Sequence, residues 1–264
     1  MGADPGNVDS PQIAEPRQRW RLAFRRSAEA PALTHREIVD PWLERLACRL
    51  PLPRPEGRPR PALSFAAPLP LGMPVERDLA DLVLADRLPI HFVRERVATS
   101  LPEGIEVVDL HDVWLGAPPL AASLAAADYR LIVTPNADSR GSSGATADRR
   151  DALQATLERA ADDLLRARTL PRERTRGSSR VSYDLRPLVS AIRVDRGAPD
   201  GPLIIRVRTR FHPERGAGRP EEVLAALGER ISRRLDAAEI VRERVILADD
   251  ILARDLAPDE QERV

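Results

Sequence analysis

Hydrophobic and polar positions alternate at the start of the sequence's first patterned segment, RWRLAFR, residues 19–25. Trp20, Leu22 and Phe24 occupy one set of alternate positions, and arginines occupy most of the others. Side chains of a strand point to opposite faces in turn, so this period of two predicts a half-buried strand.

The following segment, THREIVDPWLERL, changes to a helical period of three to four residues. Thr34 and Glu37 have the spacing of a capping box at the helix start. Pro41 is an unfavourable interior residue of this helix, tolerable only if it lies in the first turns. Residues 62–115 then predict two strands, a helix and a closing strand. The order β-α-β-β-α-β is that of a ferredoxin-like unit.

The second half repeats this order after a hinge-like connection, GAPPLAASLAAA. We therefore predict an α+β protein of two tandem ferredoxin-like (βαββαβ) domains in a pseudo-two-fold arrangement. The predicted divisions are a disordered acidic tail at 1–16, a first domain with its linker at 17–127, a second domain at 128–248 and an acidic C-terminal tail at 249–264.

Charge is unevenly distributed, although the 264 residues have a formal net charge of zero. Residues 172–219 alone contain twelve arginines and five acids, and every basic residue of the chain is arginine. The single cysteine, Cys48, excludes an intrachain disulfide framework and favours a cytoplasmic protein. No apolar run approaches the roughly 20 residues of a membrane helix, so we expect no membrane association.

The strand IRVRTR places three arginines on one sheet face, Arg206, Arg208 and Arg210, because they are two residues apart. Like charges in a row repel one another unless a partner neutralises them. Acids of neighbouring strands, such as Asp184, are one candidate partner. RNA phosphates and another protein are the alternatives.

The segment RERTRGSSR adds four arginines around a Gly-Ser-Ser tip: Arg172, Arg174, Arg176 and Arg180. We expect a flexible loop that either grips phosphates or is solvated surface. Tyr183 and Phe211 are the only rings nearby, which favours contact with the RNA backbone over base reading.

A proline-rich segment before the strand ALSFA supplies three further candidate anion-binding arginines, Arg54, Arg58 and Arg60. Prolines hold such a segment extended at little entropic cost, so it is either a preformed recognition loop or a stiff connection. The closing PLPLG ends the strand, since proline lacks a ladder donor, and Gly72 permits the turn.

The chain offers no catalytic or cofactor motif. The four histidines are far apart and have no ligand spacing, so we predict no metal site and no cofactor. Asp109 and His111 share a strand face, where a hydrogen-bonded surface pair is favoured over a metal site. DSRGSSGATADRR has the wrong order for a phosphate loop and contains no lysine.

Three segments together resemble the radical SAM-linked (radical SAM-associated) domain family: FRRSAEAPALTHREIVDPWLERL, PRPALSFAAPLPLGM and RPEEVLAALG. The resemblance covers most of residues 19–248, and Arg36-Glu37 and Arg58 depart from its pattern. Motif positions singled out here are His35, Gly57, Pro59, Pro61, Gly72, Asp184, Arg186 and Arg219.

The resemblance implies association with radical SAM chemistry, in some settings beside RNA-processing genes, and it implies no reaction. The chain lacks the cysteine triplet of a radical SAM core. We expect a non-catalytic accessory protein that binds RNA, or a radical SAM RNA-modifying enzyme in trans, through an arginine-rich face. The alternatives are an RNA-modifying enzyme resembling tandem ferredoxin-like tRNA pseudouridine synthases and a protein-interaction scaffold.

Overall fold

The computed structural model describes residues 17–53, 62–133, 145–176, 179–195 and 201–250. For residues 145–149, 175–176 and 179 only the backbone is described. The predicted tail at 1–16 and most of the predicted C-terminal tail lie outside these ranges. None of the helices in the described part of the chain has the length and apolar character needed to cross a bilayer.

The first half forms a four-stranded antiparallel sheet in the order β4-β1-β3-β2. Two helices, α1 and α2, pack their apolar faces onto it. The elements are β1 (Gln18–Arg26), α1 (His35–Ala47), β2 (Leu63–Phe65), β3 (Val75–Leu84), α2 (Ile90–Ala98) and β4 (Ile105–Val113).

The second half has the corresponding antiparallel order, β11-β5-β9-β8, with helices α4 and α5 against one face. A separate two-stranded hairpin, β6 with β7, and the short β10 are additions to it. The elements are α3 (Leu120–Ser123), β5 (Leu124–Val133), α4 (Ala145–Arg166), β6 (Pro171–Arg176), β7 (Ser179–Asp184), a 3₁₀ turn (Arg186–Leu188), β8 (Val189–Asp195), β9 (Leu203–His212), β10 (Gly216–Ala217), α5 (Pro220–Arg230) and β11 (Ala237–Leu247).

The two halves share one nine-stranded sheet, because β11 pairs in parallel with β3 where Arg242 meets Val75. The remaining neighbours are antiparallel, and the predicted α+β class is confirmed. Strand β5 begins at Leu124 and so runs across the predicted division at residues 127–128.

Each half has its own hydrophobic core, and the two cores differ in composition. In the first, the rings of Phe24, Trp42 and Phe65 meet edge to face, with centroids 5.7–5.9 Å apart. The second consists mainly of leucine, valine, isoleucine and alanine from β5, β9, α4 and α5. Edge-to-face aromatic pairs add about 0.5–1.5 kcal/mol each beyond the area they bury.

Helix α1 begins as predicted. Thr34 accepts a hydrogen bond from the N–H of Glu37, and the Glu37 carboxylate accepts one from the Thr34 N–H at 2.7 Å, which completes the capping box. As expected, Pro41 is an interior residue of the helix: it is the seventh residue and lies in the second turn.

Strand β1 is more buried than its alternation predicts. Arg19, expected on an exposed face, is 3% exposed and donates to Asp81 at 2.9 Å, and Arg21 shares the same carboxylate. The loop after β4 covers this side of the strand, since Arg19 also donates to the Ala117 and Pro118 carbonyls.

Candidate nucleic-acid interface

The three arginines of β9 lie on one face, opposite the helices, as their spacing predicts. Arg206 and Arg210 are exposed, and Arg208 is half-buried, whereas Ile205 and Val207 between them are buried in the core. Their surroundings nevertheless differ from one position to the next.

Arg206 and Arg208 are neutralised by carboxylates of neighbouring strands. Arg206 donates to Asp195 on β8 at 2.6 Å and to Glu243 on β11, while Arg208 donates to Asp128 on β5 at 2.7 Å. Hydrogen bonding to these carboxylates raises the pKa of both guanidinium groups. We call Arg206 and Arg208 the paired segment of β9.

These contacts belong to a network that crosses the sheet. Glu243 also meets Arg130 at 3.6 Å, and Asp128 accepts a second bond, from Arg244, at 2.9 Å. Burial alone would raise the pKa of Asp128, but the two arginines outweigh it and hold that pKa below its usual value. Cross-strand ion pairs, one of the alternatives for the arginine row, therefore account for Arg206 and Arg208.

The proposed acid, Asp184, is not part of this network. Its carboxylate accepts hydrogen bonds from the backbone N–H groups of Leu170 and Arg186, at 2.7 and 3.0 Å. It closes the base of the β6–β7 hairpin, where it pairs with Pro171, and Arg208 bonds to Asp128 instead. That expectation was wrong, because β7 leaves the main sheet and pairs only with β6.

Arg210 differs from its two neighbours on β9. Its cross-strand residue on β5 is Ala126, and no described residue forms an ion pair with its exposed side chain. The chain then turns through Gly216, whose φ of +82° lies in the left-handed region that favours glycine, into β10 and α5. Arg215 and Arg219, both exposed, flank this turn and likewise have no ion pair among the described residues.

The segment expected to be a loop consists largely of the paired strands β6 and β7, so that expectation was wrong; residues 177–178 of the predicted flexible tip lie outside the described residues. Arg172 pairs with Glu229 at 2.8 Å, Arg174 lies over the Tyr183 ring at 5.0 Å, and Arg180 is 3.9 Å from Glu173. The backbone of Arg176 lies at the end of β6; its side chain is not described.

The hairpin adjoins the turn after β9. A methyl group added at Gly216 would lie 3.3 Å from Nη1 of Arg174, so these two segments are in contact. Five arginines lie on these two segments, and we call them together the hairpin–turn surface: Arg174, Arg180, Arg210, Arg215 and Arg219. Arg215 was not among the candidates predicted from the sequence, although its position beside a Gly-x-Gly turn indicated an exposed residue.

The proline-rich candidates Arg54, Arg58 and Arg60 lie outside the described residues, and so do the motif positions Gly57, Pro59 and Pro61. The PLPLG segment that follows is described. Gly72 has φ of +65°, in the left-handed region that the turn requires.

Two further motif residues secure backbone segments. Nδ1 of His35 accepts a hydrogen bond from the Leu69 N–H at 3.1 Å, which ties the PLPLG segment to the start of α1. Burial, assisted by the nearby Arg242, lowers the pKa of His35. Arg186 donates to the Leu165 carbonyl at the end of α4 and to the Val189 carbonyl at 2.7 Å. Both His35 and Arg186 therefore hold backbone segments in place.

A buried ion pair lies where the two halves meet. Asp78 on β3 is fully buried, and Arg242 on β11 donates to it and to the Pro68 carbonyl. Burial raises the pKa of Asp78, although Arg242 opposes this shift. The Tyr129 side chain is adjacent, and burial raises its pKa too.

The expected surface pair of Asp109 and His111 is present, with Nδ1 of the histidine 3.3 Å from the carboxylate. No group of three potential metal ligands occurs among the residues that the structure describes.

Comparison with known proteins identifies a family. The model of a family described as "Uncharacterized protein conserved in bacteria (DUF2344)" matches residues 19–219, about three quarters of the chain. The chain therefore belongs to the DUF2344 family. No curated protein matches it.

Solved structures also match the chain, among them the crystal structure of the archaeal box H/ACA sRNP Nop10–Cbf5 complex. The match has 12% sequence identity and a TM-score of 0.38. It covers 86% of this chain and 46% of the other, so the chain spans less than half of that protein.

Proposed function

We propose that this member of the DUF2344 family is a non-catalytic accessory protein that binds RNA through the hairpin–turn surface. One observation carries the proposal. Arg210, Arg215 and Arg219 are exposed and have no ion pair among the described residues, whereas the arginines beside them on β9 are neutralised.

Unpaired, exposed arginines are suited to phosphate groups. The planar guanidinium presents several N–H donors that match the oxygens of a phosphate, and no carboxylate has to be displaced first. Arg174, held over the Tyr183 ring, extends the same surface along the hairpin. The contacts are to the RNA backbone, so we expect affinity to depend strongly on salt and weakly on sequence.

The proposal includes the two-domain architecture. The orders β4-β1-β3-β2 and β11-β5-β9-β8, each with two helices on one face, support two ferredoxin-like units arranged in tandem. In such units the face opposite the helices is available for binding. A cytoplasmic location is part of this proposal.

The partner enzyme is inferred from the family resemblance. A radical SAM enzyme acting in trans would receive the RNA that this protein holds, since the chain has one cysteine and so no iron–sulfur triplet of its own. A scaffold that binds only the enzyme would use the same arginines without contacting RNA.

An RNA-modifying enzyme resembling tandem ferredoxin-like tRNA pseudouridine synthases is the second candidate function. Asp78 favours it, because a buried carboxyl group with a raised pKa is typical of catalytic sites. The same carboxyl group is fully buried and bonded to Arg242, so a substrate reaches it only if that pair opens. A binding protein is therefore the better-supported proposal.

The test is RNA binding by the full chain across a salt series, with the triple variant Arg210→Ser, Arg215→Ser, Arg219→Ser. The matched control removes the same charge from three helices, through Arg36→Ser, Arg94→Ser and Arg166→Ser. Each phosphate contact to single-stranded RNA contributes a slope of about 0.7 in log K against log salt. We expect the triple variant to lose a slope of about 2 and the control to change little.

Equal losses in both variants would show that only net charge matters and would overturn the proposed surface. Absence of RNA binding by the unmodified protein would overturn the RNA-binding function itself. Co-purification with a radical SAM enzyme would then separate the scaffold from an unrelated role.

A further inference from the structure

An exposed tryptophan lies at the edge of the sheet formed by β4. Trp114 directly follows that strand, and the residue is 78% exposed, more than any other large hydrophobic residue in the described chain. The chain's other two tryptophans, Trp20 and Trp42, are buried. A single exposed ring is ordinary on a protein surface, so its surroundings decide whether it belongs to a site.

The indole borders a cavity of about 320 Å³. This volume is at the lower end of the range of small-molecule sites, about 300–1,000 Å³. Its lining is cationic and polar apart from three side chains, and consists of Arg17, Gln18, Arg19, Arg87, Asp112, Val113, Trp114 and Leu115.

The loop that carries Trp114 is held in place before any ligand arrives. The Ala117 N–H donates to the Trp114 carbonyl at 2.9 Å, and Arg19 donates to the Ala117 and Pro118 carbonyls at 2.7 and 2.8 Å. Gly116 lets the ring rest on the backbone, since a Cβ there would lie 2.5 Å from Cζ2 of Trp114. The indole is therefore a preorganised platform.

Some charged groups of the cavity are bonded within the protein, and others are free to contact a ligand. Arg19 is fully engaged with Asp81 and the loop carbonyls. Arg17 and Arg87 are exposed and form no ion pair with any described residue, so two guanidinium groups at the rim are available to an anion. Asp112 receives only a 3.4 Å bond from Gln18, which leaves its carboxylate able to accept from a ligand's N–H groups.

An aromatic platform, two available guanidinium groups and a carboxylate acceptor match three parts of one ligand class. We infer that this cavity binds a nucleotide, with the base stacked on Trp114, the phosphate held by Arg17 and Arg87, and an amino or ring N–H of the base donating to Asp112. Base stacking on an aromatic side chain contributes a large share of such affinities.

This inference goes beyond the proposed function, because the cavity lies at the β4 edge of the sheet and the hairpin–turn surface adjoins β9, near the opposite edge. The nucleotide is either free in solution or the terminal residue of an RNA strand. Both have the same base and phosphate chemistry, so the experiment uses one probe for each.

The experiment is a fluorescence titration of the full chain with guanosine 5′-monophosphate, guanosine and a 5′-phosphorylated RNA tetramer beginning with guanosine. Trp114 is the exposed emitter, so a stacked base is expected to quench it and to protect it from acrylamide. Trp114→Phe keeps a smaller aromatic platform and identifies the signal, and binding by both Trp114 variants is followed by calorimetry, since neither has the fluorescent group. Trp114→Ala is expected to weaken binding about 5- to 150-fold, the range that loss of one base stack implies.

The phosphate contact has its own variant. Arg17→Ser with Arg87→Ser is expected to weaken guanosine 5′-monophosphate binding at least tenfold and to leave guanosine binding nearly unchanged. Tighter binding of the tetramer than of the mononucleotide assigns the site to an RNA end, and the reverse assigns it to a free nucleotide. Binding that survives Trp114→Ala, or no binding of either phosphorylated probe at millimolar concentration, would overturn the inference.

The outcome is separable from the proposed function. The triple variant at Arg210, Arg215 and Arg219 leaves this cavity untouched, so it is expected to bind the mononucleotide as the unmodified protein does. Circular dichroism of the Trp114→Ala protein confirms its folding, since an exposed side chain contributes little to the core.

Discussion

The paired segment of β9 and the turn that follows it differ in whether their arginines form ion pairs, and the register between neighbouring strands determines this difference. Arg208 stands opposite Asp128, and two residues later Arg210 stands opposite Ala126. The first guanidinium is committed to a carboxylate and the second is available. Residue type and spacing are identical along the strand, so the difference between Arg208 and Arg210 lies in the residues that face them across the sheet.

The largest expected effect comes from breaking the buried ion pair of Asp78 and Arg242. Asp78→Ala would leave Arg242 buried without its carboxylate, and such a loss costs about 3–5 kcal/mol in the free energy of unfolding. Chemical denaturation measures it. The control is Glu106→Ala, which removes the exposed partner of Arg25 and is expected to cost less than about 1 kcal/mol. Similar costs for both variants would show that burial does not decide the strength of these pairs.

A second prediction concerns the turn that brings the available arginines together. Gly216→Ala places a side chain at φ of +82° and 3.3 Å from Arg174, so we expect a loss of about 1 kcal/mol in unfolding free energy and weaker RNA binding. Asparagine tolerates the left-handed region better, so Gly216→Asn is expected to lose less stability. Identical behaviour of the alanine and asparagine variants would contradict this account of the turn.

A third prediction converts a committed arginine into an available one. Asp128→Asn removes the carboxylate shared by Arg208 and Arg244 and keeps the size of the side chain. We expect RNA affinity to rise about threefold at low salt, with a steeper salt dependence, because two guanidinium groups become free for phosphates. Unchanged affinity would mean that this part of the sheet does not face the RNA.

The smallest effect concerns pH. Nδ1 of His35 accepts from the Leu69 N–H, and burial with the nearby Arg242 lowers the histidine pKa. The unfolded chain therefore binds a proton at this site near pH 6.5 and the folded chain does not, so stability falls as pH decreases below that value. The ring is partly exposed, so we expect less than the limit of about 1.4 kcal/mol per pH unit. The His35→Asn variant is expected to show a flatter stability profile between pH 7.5 and 5.5; an equal slope would exclude His35 as the cause.

Local patterns in the sequence predicted much of the fold. The alternation in β1 and the Thr34–Glu37 capping box identified the first strand and helix, because both signals lie within a few residues. The β6–β7 hairpin was missed because β6, PRERTR, has no apolar residue to reveal a period of two. The strand is held in place by its backbone hydrogen bonds to β7 and not by a hydrophobic face.

The candidate site was less predictable, since it depends on contacts between distant residues. The acids that neutralise Arg206 and Arg208 lie 11 to 80 positions away in the sequence. No local pattern indicates that Asp128, rather than Asp184, forms an ion pair with Arg208. Trp114 was also missed. Its position at the end of a strand, two residues before Gly116, was the available signal for an exposed ring.

We propose that ion pairing, and not arginine content, determines which part of β9 contacts RNA. The most direct test compares Arg210→Gln with Arg206→Gln, which remove the same charge from two exposed positions of one strand. When Arg206 is replaced, Asp195 keeps its ion pair with Arg193 and Glu243 keeps its ion pair with Arg130. Affinity for a single-stranded RNA is measured for both at one low salt concentration. We predict weaker binding by Arg210→Gln and no change in Arg206→Gln. Equal weakening of both, or a loss only in Arg206→Gln, would contradict the account.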